Sequence, residues 1–133
     1  MEPLKKEVVA PTWEAQYSFS PVVSTQGGKT VWLAGQVGFV DDNRKPLSGD
    51  FDAQVRQTFK NMQRLMAKAG GSLNDIVSMT VFVCDGRFSQ RFTDLRKEFW
   101  SGDYYPASTL IVAAGFALPE IMVEVTGYAV VGK

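Results

Sequence analysis

Two stretches of the chain show the apolar periodicity of an amphipathic helix. The first follows Asp50, which can cap it, and runs to Gly70-Gly71. Its apolar side chains recur every three or four residues: Phe51, Val55, Phe59, Met62, Leu65, Met66 and Ala69. The second stretch, predicted to stop near residues 101–103, is marked by Phe88, Phe92, Leu95 and Phe99. The pattern therefore predicts two helices.

Strand patterns precede, separate and follow these helices. Residues 30–34 are rich in β-forming side chains after a Gly-Gly turn, and we place a hairpin partner around residues 17–23. Residues 76–83 and 107–113 predict two further strands. In the last strand, 121–131, the two faces alternate: Val123, Val125, Ala129 and Val131 on one, and Met122, Glu124, Thr126, Tyr128 and Val130 on the other.

The order β-β-α-β-α-β-β predicts an α+β fold in which both helices pack on one face of a sheet. The second face also needs a cover, because apolar side chains are expected on it: Leu110, Val112, Met122, Tyr128 and Val130. An exposed apolar face of this extent promotes aggregation. We therefore expect identical subunits to bury it.

The length of the chain limits the number of domains, and its net charge limits the classes of partner. The 133 residues fit one domain, 1–133, because single domains cluster at about 100–200 residues. Fourteen Lys and Arg balance fourteen Asp and Glu, which argues against a nucleic-acid or membrane-surface partner. Residues 1–12 lack a signal-peptide pattern, and the longest apolar-rich stretch, 110–118, is about half a membrane span. We expect a soluble, cytoplasmic protein.

The chain contains no histidine and one cysteine, Cys84. Without imidazole, the chain cannot supply a Ser-His-Asp or Cys-His group, a His-bearing zinc site, or a general base with an unshifted pKa near neutral pH. Proton transfer must then use a carboxylate, a tyrosine, a lysine, Cys84 or water. A lone cysteine forms no internal disulfide, which fits a reducing compartment.

Short motifs follow one another along the chain from about residue 15 to 131. They are Tyr17-Ser18, Leu33-Ala34-Gly35-Gln36, Gly49-Asp50 with Gln54 and Asn61, Ala69-Gly70, Leu73 with Asp75, Thr80-Val81-Phe82, Pro106-Ala107-Ser108-Thr109 with Val112, Leu118-Pro119 and Glu124-Val125. In order and spacing they resemble the reactive intermediate deaminase family, also called YjgF or L-PSP endoribonuclease. The resemblance implies a chorismate-mutase-like fold, a homotrimer, and small-molecule clefts between subunits.

Active members of that family hydrolyse an enamine or imine, such as 2-aminoacrylate made by a pyridoxal-phosphate enzyme, to a 2-keto acid and ammonia. An arginine for the substrate carboxylate, a glutamate for protons and a positioned water suffice, so the resemblance implies no metal and no cofactor. The family's glutamate falls on Glu124 and its cleft tyrosine on Tyr17. Backbone groups that hold substrate fall near Gly35 and Gln36.

The chain departs from the family at the carboxylate-binding position. The signature Pro-Ala-Arg-Ser reads Pro-Ala-Ser-Thr here, so Ser108 replaces the arginine; Leu110 replaces the usual cysteine, and Thr93 an asparagine of the second helix. Loss of a charged hydrogen-bonding fork removes about 1.5–3 kcal/mol, which predicts roughly tenfold to hundredfold weaker binding of 2-imino acids. The chain is therefore assigned to a branch that lacks the signature arginine.

Each candidate residue also has a structural interpretation. Glu124 either serves the cleft and its water or is a structural ion pair or exposed side chain, and Tyr17 either lines the cleft or packs. Ser108 and Thr93 are expected as pocket wall, and Cys84 as a small, buried, inert residue. A basic cluster on the second helix is interpreted as a solvated face, unless one of its arginines enters a neighbouring subunit's cleft: Arg87, Arg91, Arg96 and Lys97.

Three functions remain open at this point. The first is an enamine or imine deaminase. The second is a non-catalytic ligand-binding or regulatory trimer that uses the same cleft. The third is the ribonuclease of the family's older label, against which the zero net charge and the absence of histidine weigh.

Overall fold

A computed structural model describes residues 3–100 and 104–132. These residues form two α-helices, α1 (Phe51–Lys68) and α2 (Ser89–Arg96). They also form six strands: β1 (Lys5–Val8), β2 (Val23–Gln26), β3 (Lys29–Gln36), β4 (Ile76–Val83), β5 (Ala107–Val112) and β6 (Val123–Val131). Short 3₁₀ turns lie at Glu14–Tyr17, Leu73–Asp75 and Gly86–Phe88.

The main sheet has four strands in the order β3-β6-β4-β5. The β3/β6 and β6/β4 pairs are antiparallel, and β5 lies parallel to β4 at the edge. Strand β2 pairs with β1 in a separate two-stranded sheet, so the predicted hairpin with a partner around residues 17–23 is wrong. Gly27 and Gly28, where the chain passes from β2 to β3, both have positive φ, a conformation that glycine adopts without steric cost.

Helix α1 confirms the first helix prediction. The Asp50 carboxylate accepts a hydrogen bond from the Ala53 amide at 3.0 Å, and the helix ends before Gly70, whose φ is 90°. Most of the predicted apolar stripe is buried, whereas Leu65 is exposed. Helix α2 ends at Arg96, earlier than expected, and its predicted end near 101–103 lies outside the described residues.

Both helices pack on one face of the main sheet, as predicted. The ring of Phe59 in α1 contacts Phe92, Phe99 and Trp100, with centroids 5.6, 5.1 and 5.1 Å away. The sheet side of this core consists of alternate residues of β4 and β6: Met79, Val81, Val83, Val123, Val125 and Ala129. The alternation predicted for the last strand is therefore confirmed, although that strand begins two residues later than expected.

The opposite face of the sheet has no helix among the described residues. Trp32 lies opposite Tyr128 in the β3/β6 register and is 76% exposed, which confirms an apolar second face. The placement of Leu110 and Val112 on that face is wrong, because the parallel register aligns them with the core residues Val81 and Val83. Met122 also packs against the core, so the prediction for it is wrong too.

None of the helices in the described ranges has both the length and the apolar content to cross a membrane.

Candidate functional site

The candidate site residues lie in two clefts on opposite faces of the main sheet. The first, which we call the Arg96 cleft, has a volume of about 330 Å³ and lies between α2, β5 and the turn at Glu14–Tyr17. Its lining residues are Tyr17, Phe19, Ser89, Gln90, Thr93, Arg96, Ser108 and Leu110. The second, the Glu124 cleft, has a volume of about 420 Å³ and is lined by Phe82, Ala113, Gly115, Phe116, Ala117 and Glu124.

The Arg96 cleft brings together four of the predicted site residues. Ser108 and Leu110 project from the same face of β5, because side chains alternate along a strand. Thr93 approaches them from α2 and is 9% exposed. Tyr17 is 41% exposed and packs edge-to-face on Trp13, with ring centroids 5.8 Å apart. Tyr17 thus both lines the cleft and takes part in packing.

Arg96 is the residue of this cleft that the sequence interpretation misplaced. It was expected on a solvated helix face, yet it is only 4% exposed. It follows Phe92 by four residues, so it lies on the apolar stripe of α2, and its guanidinium sits 5.0 Å from the Phe92 ring. That spacing was the available signal: a charged residue at a core position of an amphipathic helix.

The guanidinium of Arg96 makes its hydrogen bonds within the same chain and to uncharged groups. Nη1 donates to Ser108 Oγ at 2.8 Å, and Nε donates to Ser18 Oγ at 3.0 Å. Nη2 lies 3.4 Å from the Tyr17 carbonyl oxygen. The chain therefore places an arginine against position 108, where the family's arginine is replaced, but from a helix rather than from the strand.

Burial sets the electrostatics of Arg96. Among the described residues, the carboxylates paired with arginine belong to other sites: Arg56–Glu98, Arg64–Asp42, Arg87–Asp85 and Arg91–Asp52. Desolvation lowers the pKa of Arg96 to about 10, and Tyr105 opposes this shift. Because that value is well above neutral, Arg96 is a buried cation at physiological pH.

Ser18 contacts Arg96 from the end of the 3₁₀ turn at Glu14–Tyr17, which it caps in a left-handed conformation. Its φ of 60° is in the left-handed region that non-glycine residues rarely adopt, and its side chain is fully buried. Ser18 Oγ donates to the Thr93 carbonyl at 2.8 Å while it accepts from Arg96 Nε. One hydroxyl therefore ties the N-terminal turn to α2 and orients the guanidinium.

The Glu124 cleft is lined by the predicted acid–base residue, and Gly35 lies against the carboxylate of that residue. Glu124 lies opposite Phe82 in the β4/β6 register, on the helix-free face. A Cβ at Gly35 would collide with Glu124 Oε2, so the absent side chain makes room for the carboxylate. Among the described residues of this one chain, Glu124 forms no ion pair. Gln36 follows Gly35, and its side-chain amide turns back to donate to the Ala34 carbonyl at 3.1 Å.

The two clefts do not meet within one chain. Ser108 aligns with Met79 and Glu124 with Phe82, so their backbones lie two strand spacings across and three residues along the sheet. Those offsets amount to about 14 Å in the plane of the sheet. The side chains also point to opposite faces. A small ligand at Ser108 is therefore out of reach of Glu124 of the same chain.

Cys84 lies outside the lining of both clefts. Cys84 is exposed, which corrects the expectation of a buried residue, although partial burial still raises the pKa of its thiol. In the ranges 3–100 and 104–132, no three His, Cys, Asp or Glu side chains cluster closely enough to hold a metal ion.

Comparison with known proteins defines the class. The family model described as Endoribonuclease L-PSP matches residues 9–131, so the chain belongs to this family, which is also the Rid or YjgF family. A 2-iminobutanoate/2-iminopropanoate deaminase from Dermatophagoides farinae is 28% identical over 90 residues, which are 68% of this chain and 70% of the relative.

Solved structures show the same fold. A Rid family protein from Yersinia pestis superimposes with a TM-score of 0.85, at 24% identity, and covers 95% of this chain and 98% of its own. Yeast Mmf1 gives a TM-score of 0.69 at 22% identity, with 98% of each chain covered. The predicted YjgF-like α+β fold is therefore confirmed.

Proposed function

We propose that this chain hydrolyses a small reactive enamine or imine to a carbonyl compound and ammonia, without a cofactor, in clefts between subunits of a homotrimer. Membership of the family supports a deaminase-like function at the level of the family, as does similarity to a relative named as a deaminase. The geometry around Glu124 supports the proposed chemistry, and the exposed side chains of the helix-free face support the proposed assembly.

Glu124 is the observation that carries the catalytic proposal. Its carboxylate lies in a cleft of about 420 Å³ beside the apolar side chains of Phe82 and Phe116. A carboxylate there can take a proton from water as the oxygen adds to the imine carbon. It can return that proton to nitrogen, which gives a carbinolamine. It can then carry the carbinol hydroxyl proton to nitrogen as the C=O bond forms, the C–N bond breaks and ammonia leaves. The step needs no histidine and no metal, which suits the composition of this chain.

The exposed side chains of the helix-free face support assembly of identical subunits. The rings of Trp32 and Tyr128 lie 5.0 Å apart at a tilt of 37° and form an apolar patch, and Ile111, which is 43% exposed, lies on the other edge strand of the same sheet. Burial of such a patch is favourable by about 25 cal/mol per Å². The Glu124 cleft opens on this face, so a neighbouring subunit would close it and could bring its own Arg96 cleft to the same ligand.

The test is hydrolysis of 2-aminoacrylate generated enzymatically in the presence of the purified protein, with pyruvate release followed in time. We expect release faster than in buffer, and a loss of about hundredfold or more in kcat for Glu124→Gln, since that amide cannot accept the proton. Glu120→Gln is the matched control, because Glu120 is exposed and outside the cleft lining. A wild-type rate equal to that of buffer would contradict the proposal.

A non-catalytic ligand-binding or regulatory trimer is the second candidate. The specific observation in its favour is the replacement of the signature arginine and cysteine by Ser108 and Leu110, which changes the wall of the Arg96 cleft. Binding of keto acids without turnover of 2-aminoacrylate would favour it. Cleavage of RNA by the wild type but not by Glu124→Ala would instead favour a ribonuclease, against our expectation of no nucleic-acid partner.

A further inference from the structure

Arg96 is a buried cation that has no carboxylate partner among the described residues. Arg96 is 4% exposed, and the hydrogen-bond acceptors around its guanidinium are hydroxyl, carbonyl and thioether groups of the described residues. Isolated buried charges are expensive, and proteins rarely keep them unless they are paired or used. Here the guanidinium also lines a cleft that is open to a ligand.

We propose that Arg96, carried by α2, binds the carboxylate of the ligand in the Arg96 cleft, and that Ser108 transmits part of this interaction as a neutral donor. Arg96 Nη1 donates to Ser108 Oγ at 2.8 Å, so the hydroxyl proton of Ser108 must point elsewhere. With its oxygen held by a cation, Ser108 is a strengthened donor towards the cleft. Arg96 and Ser108 together then replace the single arginine of the family signature.

Hydrogen bonds from neighbouring elements hold the Arg96 guanidinium in one position. Ser18 is held in a left-handed conformation while its buried hydroxyl bridges Arg96 and the Thr93 carbonyl. Residues in such conformations persist when the surrounding structure imposes them, and they cluster at functional sites. The guanidinium is therefore already ordered before a ligand binds. A carboxylate that pairs with it costs little further side-chain entropy of Arg96.

The rest of the cleft specifies the class of ligand. Leu110, Phe19 and Tyr17 supply apolar wall, and within the cleft lining Arg96 is the charged residue. A volume of about 330 Å³ lies in the range of small-molecule sites. The fitting ligand is a monocarboxylate with a short apolar substituent.

This inference uses the cleft of the proposed function but not its chemistry. Binding of an acid that depends on Arg96 without any turnover would leave the inference standing and contradict the deaminase. Turnover that persists unchanged in the absence of Arg96 would contradict the inference and leave the deaminase standing.

Calorimetric titration with 2-oxobutanoate and with the uncharged 2-oxobutanamide tests the inference. We expect the wild type to bind the acid about tenfold or more tightly than the amide, and Arg96→Met to lose that preference. Arg91→Met is the matched control, since Arg91 lies on the same helix but is exposed and paired with Asp52. In the double variant Arg96→Met with Ser108→Arg, the preference should return. Equal preference for the acid in Arg96→Met and the wild type would overturn the inference.

A second measurement keeps the inference testable if Arg96→Met does not fold. In wild-type protein labelled with ¹⁵N-arginine, the Nε–H resonance of Arg96, assigned with Arg96→Lys, should shift on addition of 2-oxobutanoate and not on addition of 2-oxobutanamide. An unchanged resonance at saturating acid would overturn it.

Discussion

The Arg96 cleft and the Glu124 cleft differ in how they hold their charge. Arg96 is enclosed between a helix and the sheet, and uncharged groups fix its guanidinium from several sides. Glu124 lies on the helix-free face, where the space beside it exists because Gly35 has no side chain. Contacts within one chain therefore fix the Arg96 guanidinium, whereas the Glu124 carboxylate lies in a cleft that is open on one side. The difference supports our proposal that each chain contributes two unlike halves of a site.

The geometry of the sheet explains why the halves cannot combine in one chain. Ser108 and Glu124 project from opposite faces and lie about 14 Å apart in the plane of the sheet. In the proposed trimer, the Glu124 cleft of one chain would face the Arg96 cleft of the next. A single ligand would then contact a cation from one chain and a carboxylate from another. In that arrangement, a chain without the signature arginine would still form a site with one cation and one carboxylate.

The largest expected effect comes from breaking the proposed interface. Trp32→Glu places a charge in the apolar patch of the helix-free face, where burial of an unpaired carboxylate is costly. We expect it to dissociate the assembly and to abolish turnover, while each monomer keeps its fold. Sedimentation equilibrium and circular dichroism measure the two outcomes. Leu65→Glu, on the exposed side of α1, is the control and should leave the assembly intact. An unchanged mass for Trp32→Glu would contradict the proposed interface.

A smaller effect is expected from displacing Glu124 alone. A Cβ at Gly35 collides with its carboxylate, so Gly35→Ala should lower kcat by about tenfold, because reacting groups tolerate little misplacement. Binding of 2-oxobutanoate, which depends on Arg96, should change little. Gly115→Ala is the control, since a Cβ there meets nothing within 4 Å although Gly115 lines the same cleft. Equal losses in kcat for both variants would argue against this role of Gly35.

Much of the fold could be predicted from the sequence because it depends on local periodicity. The stripe of α1 and its cap at Asp50 are short-range signals, and the alternation of β6 separates its two faces without further information. The pairing of β2 with β1 is a tertiary choice that no local pattern encodes. Likewise, alternation shows that Ser108 and Leu110 share a face, but only the register with β4 shows that this face meets the helices.

The sequence suggests candidate site residues, and the structure shows which of them lie close together. Tyr17, Thr93, Ser108 and Leu110 do meet in one cleft. Gly35 and Glu124 meet in another, on the opposite face. Arg96 was visible as a charge on the apolar stripe of α2, yet hydration of basic clusters is the usual outcome, so the sequence favoured the wrong interpretation. The proposed role of Arg96 depends on its distance from Ser108 in the fold, and sequence periodicity does not give that distance.

A third effect concerns stability, and it separates a functional from a structural Arg96. Replacing a buried charge that lacks an opposite charge with an apolar side chain of similar length removes the cost of desolvating that charge, which offsets the loss of its hydrogen bonds to uncharged groups. We therefore expect Arg96→Met to leave the free energy of unfolding unchanged or to raise it by about 1 kcal/mol. Urea denaturation measures it. A loss of about 3 kcal/mol or more would show that Arg96 chiefly holds the fold together.

The smallest expected effect is that of pH on acid binding. The chain has no histidine, and burial lowers the pKa of Arg96 only to about 10, so the cation persists across the neutral range. Affinity for 2-oxobutanoate should change by less than about twofold between about pH 6 and pH 8. It should weaken only as the pH rises towards the pKa of Arg96, where the charged form is lost. A titration of the affinity near neutral pH would indicate a different binding group.

Complementation between two defective variants tests most directly whether the two halves of the site come from different chains. Arg96→Met and Glu124→Gln are each expected to have little turnover of 2-aminoacrylate as separate trimers. After joint refolding in equal amounts, sites that combine the intact Arg96 of one chain with the intact Glu124 of its neighbour should restore about a quarter of wild-type turnover. A refolded mixture, shown by mass spectrometry to contain mixed trimers, that stays as inactive as its parents would contradict the account.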